Sequence, residues 1–101
     1  SLLQIAENLE KLNLQSQIGQ IMLNNTDAFS NLTELRLSES FKFDLEQVFF
    51  ENSTKLEILV LKRMNLTSEL LRKCFFFFIY KNLEYLDLSE NLIEYLPERI
   101  F

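Results

Sequence analysis

Leu83-Glu-Tyr-Leu-Asp-Leu-Ser-Glu-Asn-Leu-Ile-Glu-Tyr-Leu-Pro-Glu-Arg-Ile-Phe101 carries its apolar residues at fixed intervals. With Leu83 as position 1, leucine recurs at positions 4 and 6 (Leu86, Leu88) and asparagine follows at 9 (Asn91). Ile93, Leu96, Pro97 and Phe101 then stand at 11, 14, 15 and 19. From Tyr85 to Leu88 the side chains alternate, the period of a strand with one face buried. Asn91 falls where the chain must turn out of that strand. Ile93, Leu96 and Phe101 are expected to fill the interior of the returning arm. Alone, the stretch also fits an amphipathic strand followed by a loop, so recurrence of the spacing decides the fold.

The spacing recurs at Leu56, Leu59 and Leu61, at Leu32, Leu35 and Leu37, and at Leu9, Leu12 and Leu14, with starts 23, 24 and 27 residues apart. Phe50 and Phe77 lie six residues before the next start, whereas Phe29 lies three before it, which predicts a shortened or re-phased return arm in the first unit. The pattern resembles the leucine-rich repeat, L-x-x-L-x-L-x-x-N-x-L, whose units run to roughly 20–29 residues. That resemblance implies an α/β fold: a leucine-rich repeat solenoid of about four repeats, with a parallel β-sheet on the concave face and loops and short helices on the convex face. The whole chain, 1–101, is then one array: the tail of a repeat at 1–8, with Leu3 near the phenylalanine position and Ala6 packing inward, and repeats at 9–31, 32–55, 56–82 and 83–101. Gln17, Ser40 and Met64 replace the asparagine in the first three, and Phe41 and Phe43 straddle position 11 of the second. In repeats of this kind the asparagine amide is buried and satisfies backbone groups of neighbouring turns, so the resemblance implies a polar ladder only near Asn91. The third repeat holds an insertion within Thr67–Tyr80. There Leu71, Cys74 or Phe75, and Phe78 recur at helical spacing, and Thr67 or Ser68 can cap the start, so a short convex-side helix is predicted.

Composition bounds the function. At 48% hydrophobic residues the 101-residue chain can bury a core, and one Gly with one Pro argues against a disordered tail. A net charge of −5 without a basic cluster argues against a nucleic-acid partner. No apolar stretch approaches the ~18 residues of a membrane span. Residues 1–6 lack the pattern of a signal peptide.

Little points to chemistry. There is no histidine to act as general base and no Gly-rich phosphate loop. One cysteine makes neither a zinc site nor an internal disulfide. The reading is therefore no enzyme, no metal and no cofactor. Cys74 reads either as a buried thiol on the insertion helix or as half of a pair whose partner lies outside the chain. The Phe75–Tyr80 run reads as core, with a residual exposed patch as the alternative, since not all six residues can point inward.

Four stretches fit N-x-S/T, at Asn24, Asn31, Asn52 and Asn65. Nine Asn and twelve Ser or Thr give about one such match by chance, so the excess favours passage through a secretory pathway. All four acceptors avoid the outward strand positions.

Asp27-Ala-Phe-Ser-Asn-Leu-Thr-Glu-Leu-Arg-Leu37 and Asn82-Leu-Glu-Tyr-Leu-Asp-Leu-Ser-Glu-Asn-Leu92 are similar to phrases frequent in the ectodomains of Toll and Toll-like receptors. The resemblance implies a ligand-recognition module of an extracellular innate-immunity or developmental receptor, binding a protein ligand or microbial product and signalling by dimerisation. The alternatives are an adhesion or matrix protein and an intracellular scaffold. Cysteine-rich end caps are missing and Phe101 falls in mid-repeat, so a fragment of a longer array is expected.

Positions 3, 5, 7 and 8 of each strand point away from the core, in columns ~4.8 Å apart. They read Lys11, Glu34, Ile58, Tyr85; Asn13, Arg36, Val60, Asp87; Gln15, Ser38, Lys62, Ser89; and Ser16, Glu39, Arg63, Glu90. Ile58, Val60 and Tyr85 form an apolar cluster with Arg36, Lys62, Arg63 and Asp87 beside it, which makes these seven the candidate ligand-binding residues. The competing explanation is that such residues merely favour strands.

Overall fold

Each leucine triplet opens a strand at its third position. The computed structural model describes residues 8–14, 29–38, 52–74 and 80–98. Within them lie β1 (Lys11–Leu14), β2 (Glu34–Ser38), β3 (Ile58–Lys62), a helix α1 (Ser68–Cys74) and β4 (Tyr85–Asp87). The strands form one parallel four-stranded sheet in the order β1-β2-β3-β4, an α/β arrangement. Lys11 stands beside Glu34, Glu34 beside Ile58 and Ile58 beside Tyr85, so neighbours lie 23, 24 and 27 residues apart. Leu12, Leu35, Leu59 and Leu86 fall in one row.

The strands join through a recurring bifurcated bond. The Glu10 carbonyl accepts from the amides of Thr33 and Glu34 at 2.7 and 3.0 Å. The Thr33 carbonyl accepts from Glu57 and Ile58 at 2.8 and 3.1 Å, and that of Glu57 from Glu84 and Tyr85 at 2.8 and 3.0 Å. A tight turn precedes each of β2, β3 and β4, closed by Leu32, Leu56 and Leu83 donating to the carbonyls of Phe29, Ser53 and Tyr80. Those three acceptor residues are themselves buried. Phe29 thus stands in line with Ser53 and Tyr80, three residues before the next triplet. Ser53 fits because its hydroxyl donates to the Phe29 carbonyl at 2.6 Å.

The core lies on one side of the sheet. Leu32, Leu35, Leu37, Leu56, Leu59, Leu61, Leu66 and Leu71 have no exposed surface. Full burial of each contributes about 1.5–3 kcal/mol. At the sheet edges Leu12 is buried, but Leu9 on one side, and Leu83, Leu86 and Leu88 on the other, are only half-covered and pack against the cluster without closing over.

The predicted helix is present as α1, and Thr67 is its cap: Thr67 Oγ1 accepts from the Leu70 amide at 3.2 Å. Leu71 is buried beneath it. Glu69 in the first turn and Arg72 and Lys73 in the last favour the helix dipole. Ser68 joins the next arm, its buried hydroxyl accepting from the Glu94 and Tyr95 amides at 2.9 and 3.0 Å. Cys74 ends the helix.

One expectation for the returning arm is overturned. Ile93 is half-buried against the core, but Leu96 is 57% exposed. It follows β4, an edge strand with a neighbour on one side only, and Leu92 and Tyr95 are likewise exposed there. The expectations for Leu3, Ala6, Gln17, Ser40, Phe41, Phe43, Phe50, Phe75, Phe77, Phe78 and Phe101 lie outside the described residues. Among the described residues no helix is long and apolar enough to cross a membrane.

Candidate ligand-binding face

The sheet face opposite the core collects the seven candidate residues. Alternation along β3 turns Leu59 and Leu61 into the core and Ile58, Val60 and Lys62 away from it. Parallel registry then sets Arg36, Val60 and Asp87 in one row and Glu34, Ile58 and Tyr85 in the next. Tyr85 is 54% exposed and Ile58 half-buried. Val60 differs from the expectation of an open apolar surface: it is only 8% exposed, although it does not belong to the core cluster. It lies on the central strand, between Arg36 and Asp87 and between Ile58 and Lys62, in a row flanked on every side. The accessible apolar surface is therefore Tyr85 with Ile58.

The charges around it are paired. Arg36 Nε donates to Glu34 at 3.1 Å. Arg63 pairs with Glu90, and Lys62 approaches the same carboxylate at 3.7 Å. The Arg63 guanidinium beside Glu90 holds that carboxyl below the usual carboxylate range, with a smaller contribution from Lys62. Asp87 is also held low, first by the Ser89 hydroxyl, then by the Ser89 amide, which donates to Oδ1 at 2.8 Å, and less by Lys62 and Arg36. These groups are exposed or half-buried, so the pairs orient side chains more than they stabilise the fold. Arg63 and Glu90 occupy the same place in successive turns, and both have left-handed backbones, with φ of 55° and 59°. Glu34 and Glu90 were not among the sequence candidates. Both were readable from the strand columns, since each stands beside a candidate cation.

Beyond the strands, Asn91 ties two turns together. Its Oδ1 accepts from the amides of Met64 and Leu66 at 2.9 and 3.1 Å. Its Nδ2 donates to the carbonyls of Leu61 at 2.7 Å, Leu88 at 2.9 Å and Ser89 at 3.2 Å. The amide role matches the expectation, except that Asn91 is half-buried rather than buried.

Of the sequon asparagines, Asn52 and Asn65 are exposed and Asn31 is half-buried, all outside the strands. Asn24 lies outside the described residues. Among the described residues no group of three or more His, Cys, Asp or Glu side chains could hold a metal ion. No protein-family model, curated protein or solved structure matches the chain.

Proposed function

We propose that the chain is a leucine-rich repeat solenoid and serves as the ligand-recognition module of an extracellular receptor of Toll type, with no catalysis. The observation that carries the reading is the in-register stacking of the leucine triplets, with Asn91 bonding the turn before it. It supports the repeat pattern because the strands pair in register at that spacing and the leucines of the two middle triplets are fully buried. The sheet face holding Tyr85 and Ile58 is then concave. An exposed aromatic beside an aliphatic, ringed by ion pairs, is how protein hot spots are built. The partner is a protein ligand or microbial product, and pairing of receptor chains accompanies binding. The sequons at Asn24, Asn31, Asn52 and Asn65 support an extracellular location.

The test is secretion behind a cleavable leader, with any natural flanking sequence, followed by peptide mass spectrometry of the four sequons. A folded product glycosylated at several of them is the expected result. Folded, secreted protein bare at all four would refute the extracellular reading. Against a ligand captured on the parent, Tyr85→Ala and Ile58→Ala are each expected to weaken binding about tenfold or more without unfolding the chain. Unchanged binding by both would remove this face from consideration.

A further inference from the structure

A groove of about 490 Å³ lies on the flank of the sheet, where β2, β3 and β4 begin. Thr33, Glu57 and Glu84, the residues just before those strands, line it together with Lys55, Lys81 and Asn82 from the preceding turns. Two lysines against two glutamates leave it without net formal charge, so it favours neither an anion nor a cation. It instead offers donors and acceptors side by side, which suits a neutral ligand rich in hydroxyls. Half-buried Leu83 adds an apolar patch to the lining, suited to the C–H face of a sugar ring.

Asn31 adjoins the groove through two of its lining residues. Lys55 Nζ donates to Asn31 Oδ1 at 3.0 Å. Thr33, the third residue of the Asn31-Leu-Thr sequon, belongs to the wall. From β2 to β4 the groove crosses two strand spacings, about 10 Å. We propose that the groove seats the first sugars of an N-linked glycan carried by Asn31, lying across the starts of β3 and β4. The inference rests on the secretory reading above. Attachment joins Asn31 Nδ2 to the anomeric carbon of a lipid-linked oligosaccharide diphosphate. The amide gives up one proton, and the lipid diphosphate leaves with the bonding pair. Lys55, which holds the amide oxygen, limits the directions in which the glycan can leave the backbone.

The test measures glycan release by peptide-N-glycosidase from native, secreted protein, site by site. Asn31 is expected to be occupied and to release its glycan about tenfold more slowly than Asn52 or Asn65, equivalent to about 1.4 kcal/mol of contact. In the Lys81→Ala, Asn82→Ala double variant, release at Asn31 should rise about tenfold. If the double variant is not secreted, the ratio between sites in the parent protein decides. If Asn52 and Asn65 are bare, the comparison with the double variant decides. Asn31 bare while Asn52 or Asn65 is occupied would overturn this inference alone. So would release at Asn31 as fast as from the exposed sites, or a rate unchanged by the double variant. All sites bare in a folded product would overturn the secretory reading with it.

Discussion

Removing the Asn91 amide tests how successive turns are held together. Asn91→Ala deprives the Met64 and Leu66 amides of their acceptor and the Leu61 and Leu88 carbonyls of their donor. A buried polar group left without a partner costs about 1–3 kcal/mol. Asn91 is half-buried, so water reaches part of the site and serves the outer carbonyls first. The two amides and the Leu61 carbonyl belong to buried residues and remain the main cost. Taking each near the lower end gives about 2–3 kcal/mol in all. Set against the roughly 5–15 kcal/mol of a typical domain, that is a large loss. It corresponds to a fall in Tm of about 10–20 °C for a chain of this size. Urea denaturation followed by circular dichroism measures the loss, with exposed Asn82→Ala as a control expected to stay within about 0.5 kcal/mol. A loss below about 1 kcal/mol for Asn91→Ala, with the control unchanged, would show that water replaces the amide and refute the reasoning.

Three further outcomes follow from the same structure. Leu59→Ala, at a site with no exposed surface, should cost about 2–5 kcal/mol in denaturant unfolding, and Leu86→Ala, half-covered at the sheet edge, clearly less; the reverse order would contradict the packing described. Thr67→Ala should lose about 0.5–2 kcal/mol through its cap bond to Leu70, whereas Thr67→Ser keeps the hydroxyl and most of the stability; equal losses in the two variants would argue against capping. Burial raises the Tyr80 hydroxyl above the ordinary tyrosine value of 10.0, so the folded state keeps a proton that the unfolded state releases. Its stabilising contribution is complete below pH 10 and is lost as pH rises beyond it. Ultraviolet titration of tyrosinate should show one tyrosine ionising only with unfolding, and ionisation of all three in the folded chain would count against this.

Legibility in the sequence followed direction rather than exposure. Period-two alternation placed β1 to β4 within the leucine triplets because strand geometry alone sets which way a side chain points. Thr67 was readable as a cap because its hydroxyl serves an amide three residues away. The roles of Ser53 and Ser68 were not readable, because their partners lie 24 to 27 residues distant on other turns. The groove beside Asn31 was hidden for the same reason: its walls come from three separate turns.

The amino-acid sequence by itself determined the strand positions, the helix in the third unit, the buried leucines and the polar node at Asn91. These depend on spacing along the chain, which sets the direction of each side chain locally. Only the tertiary structure decided that Val60 is shielded on the outward face, that Leu96 is exposed and that Arg63 pairs with Glu90. Periodicity tells a side chain which side of the sheet to take, but its exposure depends on the neighbours beside it. Val60 has a strand on either side, whereas Leu96 follows the edge strand β4.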